Sequence, residues 1–304
     1  RLDPGRGHPL TGPIAVAGAR PGDVLEVDVL EVRPAPRGFT LVLPEYAALS
    51  AHGVEPLVVH WEIGPDVARS PQLPGVAVPV APFIGTLGVA PSHAQVAAFA
   101  RREAALAAER GVELPGPRAD GAVPVAAAGG LHTIPPRETG GNADVRSWGA
   151  GTRVLLPVAV PEALLSAGDA HAAQGDGESA GTALEADATV RLRIGLRRVA
   201  DGGWRPSAPA WERRAPEPPV APRPCFATTG ISVDGDGRNH LLDATLAARR
   251  ALDDLVGWLV AERGLGPAQA MALVSVAADL RIASLVNRPN AVVTAVLPLD
   301  VFEP

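Results

Sequence analysis

Hydrophobic and polar residues alternate in several short stretches of the chain, a pattern typical of half-buried β-strands. Residues 24–32 alternate valine or leucine with acidic residues, and residues 189–196 place four aliphatic side chains on one face and two arginines on the other. Successive side chains of a strand point to opposite faces, so both segments are predicted to be strands with one buried face. Residues 154–160 are almost wholly apolar and predict a buried strand.

Helical spacing appears in three places. Residues 92–110 begin with a serine and are followed by a glycine, so the segment is predicted to be a helix capped at both ends. Apolar residues recur at helical spacing over residues 240–263, and residues 267–278 begin with a proline, which suits the first helical position. With a closing strand at 291–297, these elements predict an α+β fold. The predicted fold is a β-rich body of strands joined by many Gly/Pro turns, with a C-terminal helical pair packed against this body.

The pattern divides the chain into a β-rich part, residues 1–224, and a helical part, residues 225–304. Residues 200–224 are rich in proline and contain Trp204 and Trp211. They are interpreted as either a long connection or an interrupted strand.

Composition excludes several classes of protein. Glycine and proline, 33 and 32 of 304 residues, indicate a turn-rich and mostly β protein. The formal charge of −6 and the absence of a basic patch with aromatic residues argue against nucleic acid as a partner. No apolar run approaches the roughly 18 residues of a membrane span, so no membrane is expected. The single cysteine, Cys225, cannot form an internal disulfide, which favours a cytoplasmic protein.

Every basic residue is an arginine, since the sequence contains no lysine. This excludes mechanisms that need a lysine beside the nucleophile, including those of Ser-Ser-Lys amidases and Cys-Glu-Lys nitrilases, as well as Schiff-base chemistry.

The main candidate for chemistry is the polar segment 168–178, predicted to be a loop that follows a buried strand. It contains Asp169, His171, Asp176 and Glu178, separated mostly by alanine and glycine. In extended backbone, residues two apart point to the same face, so each pair could direct two ligating or acid–base groups at one point. Mixed oxygen and nitrogen ligands suit Zn²⁺ or Mn²⁺, and a carboxylate subset would suit Ca²⁺ or Mg²⁺. The alternative is a Gly-Asp turn with solvated acids and a packed histidine.

A second polar segment, residues 133–144, adds Glu138, Asn142 and Asp144 in a loop stiffened by two prolines. The acids could instead be ordinary turn caps. Residues 177–181 match the G-x-S-x-G nucleophile elbow around Ser179, but the predicted strand that follows argues against an elbow, which needs a helix there.

Together the two polar segments resemble the signature of the acetamidase/formamidase family, which hydrolyses small amides. Further similar strings follow in family order: TGPI at 11–14, GARPGD at 18–23, PFIGTLGVAP at 82–91, TTGI at 228–231 and DLRI at 279–282. The resemblance implies that residues 1–304 form one catalytic domain of this family, lacking the family's N-terminal β segment. It also implies a homo-oligomer, at least a dimer.

The hypothesis is therefore a metal-dependent hydrolysis of a short aliphatic carboxamide of the formamide or acetamide class to a carboxylate and ammonia. The expected metal is zinc, with calcium or manganese as alternatives. The expected metal ligands are Asp144, Asp169, His171 and Asp176, and the expected catalytic residues are Glu138, Asn142 and Glu178. Glu138 is assigned as the general base on the attacking water, and Asn142 is expected to hold the amide group of the substrate. Two alternatives stay open: a hydrolase of a cyclic or larger amide, and a non-catalytic metal- or ligand-binding β protein.

Overall fold

A computed structural model describes residues 8–42, 48, 54–111, 131–200, 204–213 and 224–303. Its elements in chain order are β1 (Leu10–Ile14), β2 (Val24–Pro34), β3 (Arg37–Val42), β4 (Leu57–Ile63), β5 (Val67–Arg69), β6 (Ala77–Pro79), β7 (Phe83–Gly88), α1 (His93–Arg110), β8 (Gly140–Asn142), β9 (Thr152–Pro157), β10 (Leu165–Ala173), β11 (Leu184–Glu185), β12 (Ala188–Arg197), β13 (Ala210–Arg213), β14 (Cys225–Ile231), α2 (Ala244–Arg263), α3 (Pro267–Ala277), β15 (Asp279–Ser284) and β16 (Val292–Pro298). None of the helices in the described ranges is long and apolar enough to span a membrane.

The chain divides into two compact units. Unit 1 comprises residues 1–32, 84–170 and 190–216, and unit 2 comprises residues 33–83, 171–189 and 217–304. Each unit combines three separated segments, so the units differ from the predicted subregions 1–224 and 225–304. One dividing point falls within strand β10, between Ala170 and His171.

Unit 1 contains a four-stranded sheet in the order β12-β2-β9-β13. The predicted alternation of β2 is confirmed, because Leu25, Val27 and Val29 are buried in the hydrophobic core of this unit. Two acids on the other face of the strand contact a neighbour: Arg153 on β9 donates to Asp28 at 2.6 and 2.9 Å and to Glu26 at 2.9 Å. The predicted strand at 189–196 is also confirmed, as β12.

The predicted helix at 92–110 is α1 in the structure, and capping interactions define both of its ends. The side chain of Ser92 accepts a hydrogen bond from the backbone of Gln95, whose side chain accepts one from the backbone of Ser92. Such a capping box satisfies two of the unpaired donors at a helix start. At the other end, Gly111 has φ 63°, a left-handed conformation that glycine adopts without strain.

Unit 2 contains the strands β6-β5-β4-β3-β11 in that order, residues 171–173 of β10 beside β11, and a separate three-stranded sheet, β14-β16-β15. The helical pair α2 and α3 packs on these strands and shares one hydrophobic core with them, as predicted. Gly230 on β14 permits the close approach of α2, because a Cβ there would lie 2.0 Å from the carbonyl oxygen of Ala247. The predicted start of α2 at residue 240 is too early: the helix begins at Ala244, after Asp243 accepts a hydrogen bond from the backbone of Leu246.

Candidate active site

The segment predicted to be a polar loop is largely a strand. Residues 165–173 form β10, and only the residues after 173 turn back towards β11. The prediction was wrong because the glycine in this segment serves close packing: a Cβ at Gly168 would lie 2.5 Å from the carbonyl oxygen of Pro9, just before β1. The strand is irregular at Asp169, whose φ of 56° lies in the left-handed region.

In unit 1, two predicted metal ligands lie over a glycine. A Cβ built on Gly85 of β7 would be 2.7 Å from Oδ1 of Asp144 and 2.8 Å from Oδ2 of Asp169. Only a residue without a side chain lets both carboxylates occupy these positions. Asp144 also has a positive φ, 48°, and its backbone N–H donates to the carbonyl of Gly85 at 3.2 Å. Such conformations cost free energy and persist where the surrounding structure fixes them, often at functional sites.

Hydrogen bonds connect these acids to the neighbouring strands. The hydroxyl of Thr86 lies 2.9 Å from Oδ1 of Asn142 and 3.4 Å from Oδ2 of Asp169. The amide nitrogen of Asn142 donates to the carbonyl of Ile134 at 3.2 Å. Both ends of the Asn142 side chain therefore contact protein groups, which suits a residue that fixes the 133–144 segment. Its expected contact with the substrate amide stays a prediction.

In unit 2, His171 is held from two sides and is only 1% exposed. Its Nδ1 lies 2.8 Å from Oε1 of Gln174, and its Nε2 lies 3.2 Å from Oε2 of Glu185 on the adjacent strand β11. The ring of Phe83 contacts it edge-on, with centroids 4.9 Å apart. If Nδ1 donates its proton to Gln174, a neutral ring presents a lone pair at Nε2. A metal ion beside Nε2 would then contact both this lone pair and the carboxylate of Glu185.

Acids suited to metal binding surround this histidine within unit 2. Carboxylate oxygens of Glu178 and of Glu185 lie within 4.8 Å of a ring nitrogen of His171. Asp, His and Glu side chains of the described chain form groups that could hold a divalent metal ion, and His171 is common to them. Glu178 has a positive φ of 44°. Asp176 is absent from these groups among the residues that the structure describes; its backbone carbonyl accepts from Leu280 at 3.0 Å.

Glu138 is paired with Arg102, and this pairing makes Glu138 less suited to act as a general base. Nη1 and Nη2 of Arg102 donate to its two carboxylate oxygens at 2.5 and 2.8 Å. These hydrogen bonds to Arg102 lower the pKa of the Glu138 carboxyl from its ordinary value. A general base works best with a pKa near the working pH, and pairing with arginine moves Glu138 away from that condition.

Sequence reasoning missed Glu185, Gln174 and Gly85 as contributors to the site. Glu185 reaches His171 because the two residues are paired across β10 and β11, and no local motif marks that pairing. Gln174 follows His171 by three residues, and it was recognisable as the one long polar side chain in a run of alanine and glycine. Ser179 does not sit in a nucleophile elbow: the turns around it lead to strand β11, where an elbow requires a helix.

The known relatives define the class of this protein as a hydrolase of amide bonds. Residues 2–304 match the model of the Acetamidase/Formamidase family, and the chain belongs to that family. It is 31% identical to a formamidase from Methylophilus methylotrophus, over 97% of this chain and 77% of that protein. It is 32% identical to an acetamidase from Mycolicibacterium smegmatis, over 83% of this chain and 69% of that protein.

The chain is also similar to a solved structure. The γ-lactamase from Delftia acidovorans superimposes with a TM-score of 0.88 at 31% identity, covering 97% of this chain and 77% of that one. The predicted family and the predicted amidase activity are thereby confirmed.

Proposed function

We propose that this amidase hydrolyses short aliphatic carboxamides of the formamide and acetamide class with the help of a divalent metal ion. One carboxamide and one water give one carboxylate and one ammonium ion. The observation that carries the proposal is the setting of His171: a buried imidazole with Gln174 at Nδ1 and the carboxylate of Glu185 at Nε2. Metal-binding histidines commonly use one ring nitrogen for the ion and fix the ring through the other.

Strand β10 supplies two of the proposed ligands, Asp169 and His171, two residues apart. Asp144 lies with Asp169 over Gly85, and Glu185 lies beside His171. Nitrogen and carboxylate donors together suit Zn²⁺, our first choice, and also Mn²⁺, while Ca²⁺ prefers oxygen donors alone. When bound, such an ion polarises a carbonyl group and lowers the pKa of a coordinated water to about 7.

Glu178 is the proposed acid–base residue. It takes a proton from the attacking water and delivers one to the departing nitrogen, which leaves as ammonia and not as an amide anion. General acid–base catalysis of this kind contributes roughly 10²- to 10⁴-fold. We favour Glu178 over Glu138 because Arg102 holds both oxygens of Glu138, whereas Glu178 lies within 4.8 Å of His171.

The experiment is ammonia release from formamide and acetamide by the wild-type chain and by three variants. Glu178→Gln is expected to lose about 10²-fold or more in kcat while keeping its metal content. His171→Ala is expected to lose both the metal and the activity. His60→Ala, at an exposed histidine on β4, is the matched control and should behave as wild type. An active Glu178→Gln enzyme would remove Glu178 from this role, and a His171→Ala enzyme with full metal content would refute the proposed ligand set.

A second candidate substrate is a cyclic amide. The similarity to the γ-lactamase favours it, because that protein is named for ring opening and shares the fold of nearly the whole chain. Ring opening releases no ammonia, since the amine stays attached to the product. Parallel assays for ammonia and for a ring-opened amino acid therefore distinguish the two substrate classes.

A further inference from the structure

A groove in unit 1 is not used by the proposed chemistry. Its volume is about 440 Å³, and every residue that lines it belongs to the same unit. Its lining includes the charged residues Arg102 and Glu138, the tryptophans Trp148 and Trp211, and the small apolar residues Val145 and Ala208.

Two tryptophans line the groove. Trp148 is 1% exposed and belongs to the hydrophobic core of unit 1, so it offers a ligand little surface of its own. Trp211 is 46% exposed and stands on β13, where it is paired with Val154 of β9. The exposed ring of Trp211 forms an aromatic wall that can bind a flat apolar group through a large contact area.

Both arginines that line the groove are already paired with glutamates. Arg102 is bound to both oxygens of Glu138. Arg137, also part of the lining, is bound to both oxygens of Glu103 at 2.8 and 2.9 Å. A charged ligand would have to displace one of these partners, whereas an uncharged group would not. The groove therefore favours a neutral ligand.

The groove and the candidate site share one segment of chain. Ala143 and Val145 line the groove and are the direct neighbours of Asp144, which lies over Gly85 with Asp169. A group bound in the groove therefore contacts the residues on both sides of a proposed metal ligand. The position of the groove beside Asp144 suits the part of a substrate that extends away from the reacting amide.

The volume exceeds what the smallest amides require. One water takes about 30 Å³ of liquid volume, so the four heavy atoms of acetamide need on the order of 100 Å³. The groove volume of about 440 Å³ lies within the range of sites for larger ligands, roughly 300–1,000 Å³.

We propose that this groove binds the apolar acyl group of neutral primary amides larger than acetamide, such as an amide with a phenyl ring. The inference rests on the proposed function, since it assigns the substrate's non-reacting part to a place beside the proposed metal ligands. Binding there adds contact energy for the larger substrate alone, so the enzyme prefers phenylacetamide to acetamide in kcat/KM.

The test compares kcat/KM for phenylacetamide and acetamide in wild type and three variants. Trp211→Ala removes one wall and should lower the phenylacetamide/acetamide ratio about tenfold, as expected for a truncated aromatic contact. Ala208→Phe fills the groove from an exposed position and should lower the same ratio without removing any contact. Trp204→Ala is the matched control, because Trp204 is 63% exposed and does not line the groove; its ratio should equal that of wild type.

A binding measurement separates failure of this inference from failure of the proposed function. Phenylacetamide is titrated into chelator-treated protein, with calorimetry as the readout. Binding that weakens in Trp211→Ala and Ala208→Phe but not in Trp204→Ala supports the groove even if turnover does not depend on metal. Binding that is absent, or equal in all four proteins, overturns the inference. A wild-type preference for acetamide, or a ratio unchanged by both groove variants, overturns it as well.

Discussion

Replacing Gly85 by alanine tests the geometry of the two acids in unit 1 with the smallest possible change. The new Cβ would lie 2.7 Å from Oδ1 of Asp144, 2.7 Å from the carbonyl oxygen of Asp169 and 2.8 Å from its Oδ2. Ordinary contacts of a Cβ begin at 3.4 Å, so these oxygens must move by about 0.6–0.7 Å to reach one, or the strand must shift. The carbonyl oxygen belongs to the backbone and cannot simply rotate away.

The size of this displacement decides the expected effect. Metal–ligand distances are held within about 0.2 Å of their preferred values, several times less than the movement that alanine requires. Overpacking of this kind costs about 1–3 kcal/mol of stability. We therefore expect Gly85→Ala to fold with a lowered melting temperature, and to lose at least tenfold in metal affinity and in kcat/KM for amides.

The assay measures metal content per chain, affinity for Zn²⁺ by competition with a chelator, and the melting temperature by circular dichroism. Gly257→Ala is the matched control, because Gly257 lies in helix α2 with no atom within 4 Å of its Cβ position. Alanine at a helix interior stabilises by up to about 1 kcal/mol over glycine, so this control should melt higher and bind metal as wild type does. A Gly85→Ala protein with wild-type metal affinity would refute the placement of Asp144 and Asp169 as ligands.

Further predictions concern the acids, the helical pair and pH. Glu138→Gln should keep most amide turnover and all of its metal, because its carboxylate pairs with Arg102; abolished turnover with full metal content would restore Glu138 as the base. Gly230→Ala should lower the melting temperature strongly without changing metal affinity, since its Cβ would lie 2.0 Å from the carbonyl oxygen of Ala247; an unchanged melting temperature would contradict the packing of α2 on β14. The hydrogen bonds to Arg102 are the largest cause that lowers the pKa of Glu138 in the folded protein. The ionised Glu138 therefore stabilises the folded protein above the ordinary pKa of 4.5, and this stabilisation is lost as the pH falls through the folded-state pKa. The carboxylate is 41% exposed and screened by solvent, so this effect is below about 1 kcal/mol, and acid titration of Glu138→Gln against wild type should show a difference no larger than that.

Elements governed by local rules could be predicted from the sequence. The bounds of α1 follow from a serine and a glycine at its ends, and β2 and β12 follow from alternation along a single strand. Asp169 and His171 were selected from an alanine- and glycine-rich segment, and Asp144 from the proline- and glycine-containing segment 133–144; their roles as metal ligands stay predictions.

Long-range pairing explains what could not be predicted. Gly168 suggested a loop, but its small size accommodates Pro9 from a segment more than 150 residues away in the sequence. Glu185 comes beside His171 only when β11 pairs with β10, and Arg102 reaches Glu138 from a separate helix. No sequence motif near Glu185 or Arg102 indicates these contacts. The proposal moves the general base from Glu138 to Glu178 for this reason, because the sequence of the 133–144 segment does not show that Arg102 pairs with Glu138.

The proposed oligomer stays a prediction. A molar mass from light scattering at two protein concentrations would decide it, with at least twice the chain mass of 31.1 kDa expected.

Amide hydrolysis by this chain is proposed to depend on a divalent metal. The most direct measurement is ammonia release from formamide and acetamide before chelation, after chelation with the metal content verified, and after addition of Zn²⁺, Mn²⁺ or Ca²⁺ singly. Activity is expected to disappear with the metal and to return best with Zn²⁺. Full activity in protein verified to be free of metal would contradict metal dependence.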